Sequence, residues 1–210
     1  MDSINFINQL FDRLDQWKEF PTYQLERRAD IFFAMFLPLI LKEELDFVTD
    51  KILPEFPVRY GDVHPEREEL NKSYRIDYVA VDKNQKKVLL IELKTDVNSL
   101  RESQHNYLEV ARNLNVSGLT AGFNRIMKAS GKIQKYKNYF KELVDLEWFE
   151  KSKYGHKVTT QEYAIEVLYI VPDAGKLEGK KCISFEKIIK ILESTDDFVA
   201  KRFAQSLGKW

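Results

Sequence analysis

Tyr74-Arg75-Ile76-Asp77-Tyr78-Val79-Ala80-Val81 and, five residues later, Lys87-Val88-Leu89-Leu90-Ile91-Glu92-Leu93-Lys94 are the two runs that decide how this chain folds. Both are rich in β-branched, aromatic and aliphatic residues, and the intervening Asp82-Lys83-Asn84-Gln85-Lys86 is polar and turn-prone, the pattern of an antiparallel hairpin. A turn centred on Asn84-Gln85 pairs residues whose numbers sum to 169, which puts Asp77 opposite Glu92. Cross-strand neighbours of that kind have Cβ atoms ~5 Å apart. Side chains alternate along a strand, so Glu92 and Lys94 share one face while Ile91 and Leu93 point to the other. Val88 and Leu90 lie on the Glu92 face, so that face too is expected to be covered. A slip of one residue would separate Asp77 from Glu92.

Two carboxylates and an ammonium thus converge on an apolar hairpin. A solvated cross-strand ion pair is the ordinary reading of such charges, but Glu92 and Lys94 interrupt the most apolar strand of the chain. Burying paired carboxylates is costly unless something positive joins them. A hard divalent cation does so with oxygen ligands, and magnesium often uses only one or two carboxylates. Lys94 beside it would stabilise a hydroxide or a phosphorane-like transition state.

The string Arg75-Ile76-Asp77, fourteen residues, then Glu92-Leu93-Lys94 resembles the PD-(D/E)XK nuclease superfamily. The resemblance covers roughly residues 22–115, with the strand at 163–171 added. It implies a restriction-endonuclease-like core, hydrolysis of phosphodiester bonds in nucleic acid, DNA first, and a 5′-phosphate product. It also implies that Asp77 and Glu92 hold magnesium or manganese, with the carbonyl of Leu93 as a further ligand, and that Lys94 is the catalytic lysine. Many members carry a glutamate on the helix before the hairpin, and Glu26 is the choice here, with Glu43 and Glu44 as alternatives. Ile76 stands where the motif's proline would be. Gln104 and Tyr107 are three apart, against the four common in RecB-like members. A catalytically inactive nucleic-acid- or protein-binding module on the same fold is the alternative.

Outward from the hairpin, Ile4, Ile7, Leu10, Phe11, Leu14 and Trp17 recur at helical spacing and predict a helix over residues 3–19. Pro21 closes it, and Thr22 is the expected N-cap of a second helix running to about Val48, kinked or split at Pro38. Residues 56–60 read as a short strand, 99–114 as a helix, and 163–171 as a strand. Gly118 and Gly122 are expected to bracket a break, and residues 124–148 to be helical with an interruption at Gly131. The tail from Ser184 to Leu207 reads as mostly helix. The sum is one α/β domain over 1–210, a three-layer-type sandwich with a central mixed four-stranded sheet flanked by helices. A helical insertion at about 119–150 and extra terminal helices complete it.

Formal net charge is zero, but residues 1–110 carry a balance of −6 and residues 111–210 one of +6. The basic half holds Lys128, Lys132, Lys135, Lys137 and Lys141 around Tyr136 and Tyr139. Lysines neutralise phosphates and tyrosines stack on bases, so Lys128, Lys132, Lys135 and Tyr136, with Gln104 after the hairpin, are the expected nucleic-acid contacts. A solvated helix with inward-packing aromatics is the plainer reading. His64 and His156 lie in polar loops and are expected to have no role. One cysteine, Cys182, excludes an intrachain disulfide and a cysteine-based zinc site. The apolar run 31–41 is too short for a bilayer, which needs ~20 residues, and Met1-Asp2-Ser3-Ile4-Asn5 lacks a signal-peptide pattern. The expected setting is cytoplasmic, without a membrane partner; a homodimer stays open.

Overall fold

The computed structural model describes residues 2–67, 72–96, 102–131, 133–152 and 155–210. The hairpin is present as β2 (Ser73–Asp82) and β3 (Lys87–Leu93), paired antiparallel from Tyr78↔Ile91 to Asp82↔Lys87, every pair summing to 169 as expected. Asp82 Oδ1 accepts from the Gln85 N–H at 2.8 Å, and Lys86 takes a left-handed φ of 52° to close the turn. Val88, Leu89, Leu90 and Ile91 are all buried, so both faces of β3 are covered. A longer strand than expected, β1 (Lys51–Arg59), lies antiparallel to β2 at one edge of the sheet and includes Pro54 and Pro57. Its pairing runs from Lys51↔Val81 to Pro54↔Tyr78 and resumes at Phe56↔Ile76. The step between falls on Glu55, held at φ 52°, across from Asp77.

With β6 (Ala164–Val171) and β7 (Cys182–Ser184) the sheet has five strands in the order β1-β2-β3-β6-β7, antiparallel on one side and parallel at β6–β7. The expectation of four strands therefore falls short by the three-residue β7. A separate two-stranded ribbon, β4 (Phe149–Ser152) with β5 (Gly155–Val158), was also outside it. Both are short, and the ribbon is polar, so neither carries an apolar alternation long enough to read.

The helices are α1 (Ser3–Trp17), α2 (Leu25–Leu45), a single turn α3 (Tyr60–Val63), α4 (Glu102–Asn113), α5 (Asn115–Ser130), α6 (Lys137–Asp145), α7 (Phe185–Glu193) and α8 (Phe198–Leu207). Three helix expectations need correction. Gln24, not Thr22, precedes α2. Pro38 neither splits α2 nor ends it, because it sits on the exposed side while Leu37, Ile40 and Leu41 anchor the other side in the core. The break expected at Gly118 and Gly122 falls instead at Leu114–Asn115, where Asn115 turns left-handed (φ 55°). The interruption at Gly131 is real, a left-handed C-cap (φ 62°) on α5. The C-terminal helical tail is two helices, capped by Ser184 and by Asp197.

The chain forms two compact units, one of Met1–Thr49, Leu93–Leu100 and Leu168–Trp210, the other of Asp50–Glu92 and Arg101–Val167. In the first, Phe203 on α8 is the centre of an aromatic cluster, with ring centroids 5.1 Å from Phe33, 5.7 Å from Phe32 and 5.9 Å from Phe11. Buried Arg202 beside it reaches Asp12 at 2.8 Å and Ser206 at 2.7 Å, tying α8 to α1. In the second, Phe123 on α5 meets Phe140 at 5.3 Å, Tyr139 at 5.7 Å and Phe56 at 6.1 Å. Each such fully buried phenylalanine contributes roughly 1.5–3 kcal/mol of burial.

Candidate active site

In the second unit the hairpin places Glu92 at the end of an apolar strand, 1% exposed. Its two oxygens are held separately. Oε1 accepts from Gln104 Nε2 at 2.7 Å, and Oε2 accepts from the Tyr107 hydroxyl at 2.8 Å. Gln104 and Tyr107 are three apart on α4 and therefore share a helix face. Their spacing, unlike the four common in RecB-like members, still brings both to one carboxylate. The Tyr107 oxygen also lies 3.0 Å from the carbonyl of Arg75. Asp77 is half-buried on β2, one residue beyond the last β2–β3 pair and across from the left-handed Glu55. A left-handed non-glycine residue costs of order 1–3 kcal/mol, and such strain collects at functional sites. Glu55 itself is tied to Arg75 at 3.2 Å.

In the first unit Lys94 follows directly on β3, its N–H donating to the Ile170 carbonyl at 2.9 Å. Its side chain is buried. Nζ donates to the Leu93 carbonyl at 2.8 Å and to the two oxygens of Glu26 at 3.2 and 3.4 Å. Glu26 stands in the first turn of α2, a third exposed, and borders a cleft of about 480 Å³ that Tyr23, Arg27, Thr95 and Trp210 also line. Of the three glutamates weighed for the helix position, Glu26 is the one beside Lys94. Glu44 is engaged by Lys187 at 2.5 Å, and Glu43 is exposed.

Asp77 and Glu92, both in the second unit, offer carboxylate oxygen, the donor type that a hard cation takes. Among the described residues no group of three or more His, Cys, Asp or Glu side chains is placed to hold a metal ion.

The expected nucleic-acid contacts are spread out. Lys128 and Lys135 are exposed, on α5 and on the turn before α6. The Lys135 ammonium lies 5.4 Å over the Tyr136 ring, and Tyr136 meets Phe123 edge-on at 5.7 Å, so this tyrosine packs inward. Lys132 lies outside the described residues. Gln104, expected at the substrate, is on Glu92.

Two features of the second unit escaped the sequence. Asp62 is clamped by Arg59 at 3.0 Å and by Arg125 at 2.8 Å, and Gly122 gives it room. His64, expected to be idle, has Nε2 2.9 Å from the Tyr74 hydroxyl and lies beside Tyr60. The alternation Tyr74, Ile76, Tyr78 hinted at aromatic packing on β2, but nothing in it pointed to a histidine ten residues away.

Comparison with protein-family models, with curated proteins and with solved structures finds no match. No helix among the described residues is long and apolar enough to cross a membrane.

Proposed function

We propose that this chain is a metal-dependent nuclease of the PD-(D/E)XK type, hydrolysing phosphodiester bonds in DNA. The observation that carries the reading is Glu92: a carboxylate 1% exposed, on an apolar strand, with Gln104 donating to one oxygen and Tyr107 to the other. An apolar residue there would cost less, and costly buried carboxylates mark functional sites.

Asp77, Glu92 and the Leu93 carbonyl would hold magnesium or manganese, whose chemistry when bound is to activate water and to polarise a phosphoryl oxygen. Gln104 and Tyr107 fix the Glu92 carboxylate in one orientation. The Lys94 ammonium offsets negative charge as it develops on the phosphoryl oxygens, and Glu26 holds that ammonium in place. The water oxygen bonds to phosphorus while the bond to the 3′ oxygen breaks, leaving a 5′-phosphate and a 3′-hydroxyl.

The test is cleavage of labelled single- and double-stranded DNA in magnesium, with EDTA, Asp77→Ala and Lys94→Ala as controls. Lys94→Ala is expected to abolish cleavage and to leave the fold intact, because Glu26 is exposed enough to be rehydrated. Wild-type rates in Lys94→Ala would remove the lysine from the mechanism. One observation favours the alternative of a non-catalytic binding module: the Lys94 ammonium is held by Glu26 and Leu93 as a structural ion pair would be. A chain that cuts neither DNA nor RNA with magnesium or manganese would decide for it.

A further inference from the structure

Behind Tyr107, which donates to Glu92, stands a column of rings. The Tyr107 ring lies flat on Tyr74, centroids 4.7 Å apart and planes 5° from parallel. Tyr74 lies on Tyr60 at 5.4 Å and 23°, and His64 lies 4.6 Å from Tyr60. The column is closed by the contact of 2.9 Å between His64 Nε2 and the Tyr74 hydroxyl. Tyr60 is pinned in turn. Arg67 donates to its hydroxyl at 2.9 Å, the Lys72 ammonium sits 4.4 Å over its ring, and its N–H donates to the Lys72 carbonyl. Burial, and then the neighbouring Tyr60, hold the Tyr74 hydroxyl above its ordinary pKa.

We propose that Tyr74 is a positioning residue of the nuclease site: its ring, anchored by His64, fixes the side-chain torsions of Tyr107 so that the Tyr107 hydroxyl meets Glu92. This rests on the nuclease reading above. Leverage makes the ring contact matter. The tyrosine hydroxyl is the far end of a long rigid side chain, and a rotation of about 30°, the tolerance of a rotamer well, swings it out of hydrogen-bond reach. The Arg75 carbonyl, 3.0 Å from the same hydroxyl, is a competing acceptor for its single proton. A flat neighbour on the ring face limits rotation in a way that a hydrogen bond at the tip cannot. Neither Tyr74 nor His64 need touch substrate for this, so the effect belongs in turnover and not in binding.

The experiment compares Tyr74→Leu, Tyr74→Phe and His64→Ala in the full chain, reading kcat and KM on DNA alongside the ¹³Cζ resonance of Tyr107. That resonance is assigned with Tyr107→Phe, and its response to loss of the Glu92 contact is calibrated with Glu92→Gln. Tyr74→Leu is expected to move the Tyr107 resonance toward its Glu92→Gln position and to lower kcat roughly tenfold with KM unchanged. Tyr74→Phe keeps the ring and should recover most of that loss. Should Tyr74→Leu fail to fold, His64→Ala carries the test, with the same resonance moving and a smaller fall in kcat. An unmoved resonance in the folded Leu and Ala variants overturns the positioning role, whether or not the protein cleaves. A Tyr74→Leu variant that raises KM at constant kcat overturns it as well. A folded wild type that cuts no nucleic acid overturns the nuclease reading, and the positioning proposal with it, while the resonance still shows whether the ring column holds the contact.

Discussion

Glu92 is a case where a single side chain carries more than packing requires. Gln104 and Tyr107 each donate to this buried carboxylate, and a hydrogen bond to a charged group contributes about 1.5–3 kcal/mol. Gln104→Ala and Tyr107→Phe should each lower stability by that order in urea denaturation, and a cost near zero for both would mean that the carboxylate is hydrated in solution. At the same scale, Asp15 on α1 is a carboxylate whose titration bears on stability. Burial pushes its carboxyl up, but Lys209, Ser206 and Trp210 donate to it and bring the net pKa below the ordinary value. A carboxyl with a depressed folded pKa stabilises fully above its unfolded value, and that contribution is lost as pH falls through the folded one. Stability should therefore drop on acidification below the ordinary aspartate range, and Asp15→Asn should blunt that part of the pH profile. Hairpin residues were legible in the sequence because apolar alternation and a polar turn fix a register. Their hydrogen-bond partners were not, since Gln104 and Tyr107 reach Glu92 only once α4 is laid against the strand.

Among the elements, the junction of α3 and α5 depends on a missing side chain. A Cβ added at Gly122 would come within 2.5 Å of Asp62 Oδ2 and 3.5 Å of the Arg59 Cβ. Asp62 cannot step aside, because Arg59 and Arg125 hold it from two directions. Gly122→Ala should destabilise by about 1–3 kcal/mol, the usual cost of overpacking, despite alanine's better helix propensity. A thermal melt that rises would show that the clamp is loose. This is also why the glycine misled the sequence reading. In isolation Gly118 and Gly122 look like helix breakers, whereas at Gly122 the absent side chain makes space for another element. Pro38 misled in the opposite sense: its helix cost is outweighed by the burial of Leu37, Ile40 and Leu41 beside it. Helix periodicity was legible where one face was strongly apolar, as in α1, and failed at ends, where capping geometry decides.

At the scale of the whole molecule, a response to metal would separate the proposed enzyme from a scaffold. A ligand that binds only the folded state raises its melting temperature, by about 2.7 kcal/mol of stabilisation at a hundredfold excess over its dissociation constant. Magnesium should raise the melting temperature of the wild type and leave that of Asp77→Ala unmoved; an equal response in both would take Asp77 out of the metal set. The α/β class and the central hairpin were recoverable from pattern alone, while the fifth strand and the separate β4–β5 ribbon were too short to announce themselves. One feature of the sheet bears on how the molecule behaves among its own copies. Strand β1 is an outer strand, and its course is broken by Pro54, by the left-handed Glu55 and by Pro57. Each proline withholds a donor, and the twist at Glu55 spoils the straight run of backbone that a neighbouring chain would need to dock along it. The same few residues that lie across from Asp77 therefore also make β1 a poor edge for another chain to pair with.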